Sequence, residues 1–259
     1  MTTQPAAIPT LPRLTTLDNL RDVAGTGAGY PTGNGRVRRG VLYRSNRIEV
    51  SPEDLVVLES LGLTAIHDLR EEHEIVSHPD TSVAGAPWYH HPVPGIPQEE
   101  VAALSDADQT YAAMIENYRT FVSDPQCRRG FADLLSGIAS IEGPQLFHCS
   151  AGKDRTGWAT VLIHYIAGVD PQAMTADYLL TDEYAVNSRK ATLDSILENV
   201  GAARAPAYEP AFRCDTTYLD TAFAEVERLY GDMDGYLEDG LGLTESERQI
   251  LRTRLVCEL

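Results

Sequence analysis

The chain is short of positive charge. Its 259 residues carry 21 Lys and Arg against 38 Asp and Glu, for a formal net charge of −17. That balance argues against nucleic acid as a partner, because binding its phosphates needs Lys and Arg gathered on one face. Long apolar runs are also missing. No stretch suits a transmembrane segment, and the start lacks the basic-then-apolar order of a secretion signal. A cytoplasmic protein is therefore expected. Cysteine is scarce: Cys127, Cys149, Cys214 and Cys257 are scattered. They show neither the paired C-x-x-C spacing of a zinc site nor the density of a disulfide scaffold. No metal and no cofactor is expected. No internal repeat is apparent, and the length suits one substantial core, with a monomer favoured.

What the chain does have is one dense stretch, His148-Cys149-Ser150-Ala151-Gly152-Lys153-Asp154-Arg155-Thr156-Gly157. The apolar Gln145-Leu146-Phe147 reads as a strand leading in. Trp158, Val161, Leu162 and Tyr165, at i, i+3, i+4 and i+7, read as a helix leading out. Strand, tight loop and helix N-terminus make an anion cradle, with the backbone N–H groups of Ser150 through Thr156 turned inward and the helix dipole adding positive potential. Cys149 stands at the edge of that field and is expected to act as a thiolate nucleophile. Arg155, six residues on, brings a planar fork suited to two phosphate oxygens. Most cysteines are merely small buried hydrophobes, but this spacing to Arg155 argues otherwise. A nucleophile and a bidentate clamp around one phosphoryl group point to a phosphomonoester hydrolase working through a cysteinyl-phosphate.

His148-Cys149, five residues and Arg155-Thr156-Gly157 resembles the signature of the protein tyrosine phosphatase superfamily. The Gly152-Lys153-Asp154-Arg155-Thr156-Gly157 version is similar to that of bacterial tyrosine phosphatases of the mycobacterial PtpB type. Asn19 to Gly25, Leu42-Tyr43-Arg44-Ser45, Asp68-Leu69-Arg70, Asp177-Tyr178-Leu179-Leu180, Tyr230-Gly231, Gly235-Tyr236-Leu237 and Gly240-Leu241-Gly242 carry the resemblance over most of the chain. It implies a metal-independent protein-tyrosine phosphatase, with phosphoserine, phosphothreonine and phosphoinositides as further substrates. It also implies export without a conventional signal, and a helical lid over residues 187–216. Periodicity alone leaves an ordinary helix and connector open for that segment.

The remaining roles follow from the loop. Thr156 offers a hydroxyl to the Cys149 sulfur, and His148 is expected as a buried imidazole ordering the loop. Lys153 reads as a flexible cation at the rim, attracting multiply phosphorylated ligands; a second lysine is lacking because position 150 is Ser. The general acid is harder to place, since neither Trp88 nor Trp158 is followed by Pro-Asp. The resemblance assigns that role to Asp154, where nearby negative charge favours the protonated carboxyl. Pairing of Asp154 with Lys153 is the plainer alternative. Asp68 is the second choice, either as acid or as a partner positioning Arg155. A rhodanese-like sulfurtransferase and a silent phospho-ligand binding module are the other readings of the chain.

Taken in order, residues 1–14 read as a loose tail and 15–259 as a single catalytic domain. Leu17 to Val23 and Val37 to Tyr43 read as strands joined by a Gly-rich loop, which lacks the Lys-Ser/Thr of a nucleotide site. Ser51-Pro52-Glu53-Asp54 starts a helix, Leu63 to His67 forms a buried strand, and Glu71-Glu72-His73-Glu74 a solvated helix face. Trp88 to Val93 is a further strand, Pro94 to Thr110 a rim loop, and Tyr111 to Val122 and Arg128 to Ile141 are helices. Past the cradle everything reads as helical except 201–216. The fold class is therefore α/β, with a central mostly parallel sheet flanked by helices and a helix-rich C-terminal half.

Overall fold

The computed structural model describes residues 11–96, 100 and 103–258. Strands β1 (Arg21–Asp22), β2 (Pro31–Thr32), β3 (Gly35–Val37) and β4 (Leu42–Ser45) precede helix α1 (Pro52–Glu59). Then come β5 (Ala65–Asp68), α2 (Glu72–Ser77), β6 (Trp88–His90), α3 (Ala107–Ser123), α4 (Pro125–Ser140), β7 (Gln145–His148) and α5 (Asp154–Ala167). The remainder holds α6 (Pro171–Tyr184), α7 (Val186–Val200), α8 (Thr216–Tyr230), α9 (Glu245–Leu255) and β8 (Val256–Glu258).

Alternate side chains of the central strands enter different cores, as the two-residue period of a strand requires. Leu146 and Tyr43 pack with Leu17, Leu20 and Leu58 on one face of the sheet. Phe147 and Leu42 pack with Trp158, Phe131 and Tyr118 on the other. Leu146 and Phe147 are both fully buried, each contributing roughly 1.5–3 kcal/mol. A strand apolar on both faces belongs inside a parallel sheet covered by helices. The sheet runs β1-β4-β7-β5-β6, with only the β1–β4 pairing antiparallel. Register aligns Ser45, His148 and Asp68 across its centre. The loops that leave the carboxyl ends of these strands therefore meet, where open α/β sheets place their ligands.

Local chemistry sets the helix boundaries. Ser51 accepts from the Asp54 amide with Pro52 in the first turn, and Asp170 caps α6 in the same way before Pro171. Gly168, at φ +78°, ends α5 in the left-handed region.

The structure revises several boundaries. Of Leu17 to Val23 only Arg21–Asp22 is strand, because Leu17 and Leu20 reach the core from turns. Val37 to Tyr43 divides between β3 and β4, and β3 pairs with β8 at the far end of the chain. That C-terminal strand was not expected; its three residues have meaning only beside Gly35–Val37. Short helical turns at Ala205–Tyr208 and Glu209–Phe212 occupy what reads as a non-helical break. Residues 1–10 of the expected tail lie outside the described residues, but Leu14 is buried and Arg13 stacks 3.7 Å from the Tyr184 ring centroid. The expected rim loop lies partly outside the described residues too, and its end is helical, with α3 beginning at Ala107 behind an Asp106 cap.

Candidate active site

Cys149 follows the last residue of β7 and is 2% exposed. The loop after it is held from behind by its carbonyls. Asn19 Nδ2 donates to the oxygens of Ala151 and Gly152, both at 3.0 Å. Arg44 Nη2 donates to Gly152 O at 2.8 Å, and the Arg47 amide to Ser150 O at 3.0 Å. Gly152 sits at φ +66°, and a Cβ there would lie 2.4 Å from Ser45 O. Among the described residues the amides of 150–156 donate to no protein group. With the carbonyls tied outward, those amides are left for an anion.

The clamp behind the loop is itself braced. Arg44 and Arg21 both pair with Asp177, at 3.1 and 3.5 Å, and Tyr30 donates to its other oxygen at 3.1 Å. Burial raises the Asp177 carboxyl, but the charges of Arg21 and Arg44 more than offset this and hold it below the ordinary carboxylate range. Asn19, Arg44 and Asp177 all lie in stretches that carried the resemblance, yet their shared task appears only in three dimensions.

Arg155 lies in the first turn of α5 and turns back toward α2. Its Nη1 and Nη2 donate to the two oxygens of Glu74 at 2.6 and 2.8 Å, and Nη1 also faces the carbonyls of Val93 and Leu69. Among the described residues Nε of Arg155 donates to no protein group, so that edge remains for a phosphate. Ser150 Oγ also donates to Glu74. Burial raises the Glu74 carboxyl, but pairing with Arg155 prevails and brings it down to about 2. Glu74 thus corrects the reading of Glu71-Glu72-His73-Glu74 as a solvated face. The available signal was the spacing of Glu71 and Glu74, which form a reciprocal cap on α2.

Asp68, at the end of β5, is committed to other partners. It is fully buried and binds Arg70 through both oxygens, with Trp88 Nε1 at 3.4 Å. Among the described residues no hydrogen bond or ion pair joins it to Arg155, whose carboxylate partner is Glu74. Arg70 also pairs with Asp80 at 2.8 Å, and Asp80 approaches His148 Nε2 at 3.1 Å. Burial disfavours the His148 cation, but Asp80 outweighs it and raises the imidazole above its ordinary value. His148 is buried, as the sequence suggests.

Lys153 is not a free rim cation. It is 3% exposed, and its ammonium donates to Arg213 O at 3.0 Å and pairs with Asp154 Oδ1 at 2.8 Å. The same Oδ1 accepts from the Tyr118 hydroxyl at 2.9 Å. Thr156 is fully buried and its hydroxyl has no hydrogen-bond partner among the described residues, so the bond expected to Cys149 is not formed in this state. A groove of about 440 Å³ opens beside the loop, lined by Ser150, Lys153, Arg47 and Phe212 together with Ser188 and Thr192 of α7. No described helix is long and apolar enough to cross a membrane.

The profile of the tyrosine phosphatase family matches residues 12–257. A Cupriavidus necator protein carrying the name "putative tyrosine-protein phosphatase" is 30% identical over 236 residues, covering 87% of this chain and 82% of its own. The triple specificity protein phosphatase PtpB of Mycobacterium tuberculosis is 25% identical over 259 residues, covering 85% of this chain and 90% of its own. A tyrosine-protein phosphatase of Nostoc commune is 31% identical over 137 residues, 51% of this chain and 45% of its own.

Proposed function

The chain belongs to the tyrosine phosphatase family, and on that premise we propose that it hydrolyses phosphotyrosine through a cysteinyl-phosphate on Cys149. The observation that carries this reading is the loop itself. Its carbonyls are tied back by Asn19 and Arg44, its amides are uncommitted, and Arg155 is braced with one edge unused.

The phosphoryl oxygens lie against the amides of 150–156 and the Nε edge of Arg155, which stabilise the charge spread over them in the transition state. Cys149 sulfur attacks phosphorus in line as the ester P–O bond breaks, and Asp154 delivers a proton to the leaving oxygen. Water then attacks the cysteinyl-phosphate, Asp154 takes a proton from it, and the P–S bond breaks to return the thiolate. The unpartnered Thr156 hydroxyl serves that departing sulfur. Helix α7 and the turns to Cys214 act as a cover over the groove, keeping bulk water from the intermediate.

Phosphotyrosine is the first substrate because Cys149 is deep and the adjoining groove is lined by Phe212, Ala211 and Ala191. Phosphoserine, phosphothreonine and phosphoinositides belong to a second tier, since Lys153 is committed to Asp154 and Arg213 instead of standing free. The test is hydrolysis of an activated aryl phosphate near pH 6 with a chelator present. Turnover by the wild type and none by Cys149→Ser, which still binds phosphate, is expected. No turnover by the folded wild type would make the chain a phospho-ligand binding module.

A further inference from the structure

The proposed acid is held unevenly. Oδ1 of Asp154 accepts from the Tyr118 hydroxyl at 2.9 Å and pairs with the Lys153 ammonium at 2.8 Å. Among the described residues Oδ2 has no partner. Tyr118 itself is fully buried in the middle of α3, with ring centroids of Phe121, Tyr218 and Tyr178 at 5.2, 5.5 and 6.4 Å. Its oxygen lies 3.0 Å from the Tyr178 hydroxyl. A phenol has one hydrogen to give. With that hydrogen committed to the carboxylate, the Tyr118 oxygen accepts from Tyr178, so the chain runs Tyr178 to Tyr118 to Asp154.

We propose that Tyr118 is a positioning residue for proton transfer, anchoring Oδ1 of Asp154 so that the transferable proton is carried on Oδ2. This rests on the reading of Asp154 as the general acid. An oxygen that already accepts a hydrogen bond and lies against a cation is the poorer site for a proton, so protonation falls on the other. The two partners differ in kind. Lys153 has a flexible stem and divides its ammonium between Asp154 and Arg213 O, whereas Tyr118 is locked by the rings around it. Burial, then the Asp154 charge, keeps the Tyr118 phenol well above its ordinary value, so it remains a donor at any working pH. The arrangement serves both half-reactions: Oδ2 gives its proton to the leaving oxygen and later takes one from water, while Oδ1 stays bonded to Tyr118 throughout.

The test is the dependence of kcat/KM on the leaving group, measured with 4-nitrophenyl phosphate and phenyl phosphate, alongside inhibition by inorganic phosphate. Tyr118→Phe should lose about 10-fold on phenyl phosphate, a part of the 10²–10⁴ that general acid catalysis supplies. Its loss on the nitrophenyl ester should be far smaller, with phosphate inhibition unchanged. Asp154→Asn should show the same selectivity with a larger loss. Equal losses on both esters for Tyr118→Phe, beside a selective Asp154→Asn, would overturn the positioning role and leave Asp154 as the acid. A non-selective Asp154→Asn would instead overturn the acid assignment and this proposal with it. Should Tyr118→Phe fail to fold, Tyr178→Phe removes the next donor in the chain. It should steepen the leaving-group dependence to a smaller degree, and an unchanged dependence would contradict the proposal.

Discussion

Glu74 and Arg155 form a two-point ion pair at 2.6 and 2.8 Å, with the arginine 9% exposed. The pairing uses both terminal nitrogens and fixes the plane of the guanidinium. It also ties helix α2 to the loop, because Ser150 shares the carboxylate.

Removing that brace should cost activity more than it costs the fold. Glu74→Ala leaves Arg155 free to swing and its buried charge uncompensated. A displacement near 1 Å is enough for losses of about 10²-fold. We expect kcat/KM on an aryl phosphate to fall on that order with weaker phosphate inhibition, and Glu74→Gln to fall less because it keeps one acceptor. Unchanged phosphate inhibition in Glu74→Ala would show that Arg155 does not need this partner.

Gly152 gives a second prediction. At φ +66° an alanine would be strained, and its Cβ would press on Ser45 O at 2.4 Å and on Asn19 Nδ2 at 2.7 Å. Asn19 belongs to the frame that turns the carbonyls outward, and Ser45 is the neighbour of Arg44, which does too. Gly152→Ala should therefore lose roughly 1–3 kcal/mol in urea unfolding and most of its turnover. Wild-type stability and turnover together would mean that the loop has another way to close.

How much of this was legible in the sequence depended on range. The strand, loop and helix around Cys149 are contiguous, so residue spacing alone reveals the cradle and the Arg155 clamp. Ser51-Pro52 and Asp170-Pro171 mark helix starts for the same local reason. The supports are not local: Asn19 reaches residues 151 and 152, and Glu74 reaches Arg155, across folds of the chain that no periodicity encodes. Glu74 was hidden further because three neighbouring acidic or basic side chains made its stretch read as solvated. Lys153 misled in the opposite sense: its pairing with the adjacent Asp154 was open from the sequence, but nothing nearby announces that Arg213 O, sixty residues on, will help to hold it. The three-residue β8 lacks a local signal, being defined by its register against Gly35–Val37.

The pair His67 and His91 predicts an acid-sensitive fold. His67 Nε2 bonds Gln145 Oε1 at 2.8 Å and its Nδ1 meets His91 Nε2 at 3.0 Å, so the facing nitrogens share one proton and the two rings cannot both be cations. Burial pushes each imidazole down to about 4 from an ordinary 6.5. As pH falls from 6.5 towards 4, the unfolded chain binds protons that the folded one refuses, and stability drops, by up to about 1.4 kcal/mol per pH unit for each ring. His148 acts with the opposite sign: its raised value gives stability that is present below 6.5 and lost as pH rises through the folded value. Urea midpoints at pH 6.0 and 4.5 isolate the first effect. A clear fall in the wild type, flattened in His67→Gln with His91→Gln, is expected; equal slopes would contradict it.

The central claim is covalent transfer of phosphate to Cys149, and trapping the intermediate tests it most directly. Wild-type protein mixed with a ³²P-labelled aryl phosphate and quenched in the first turnover should carry label on the peptide containing Cys149. Cys149→Ser should carry none while still binding phosphate. Steady turnover with no label on that peptide, or label retained in Cys149→Ser, would contradict the account.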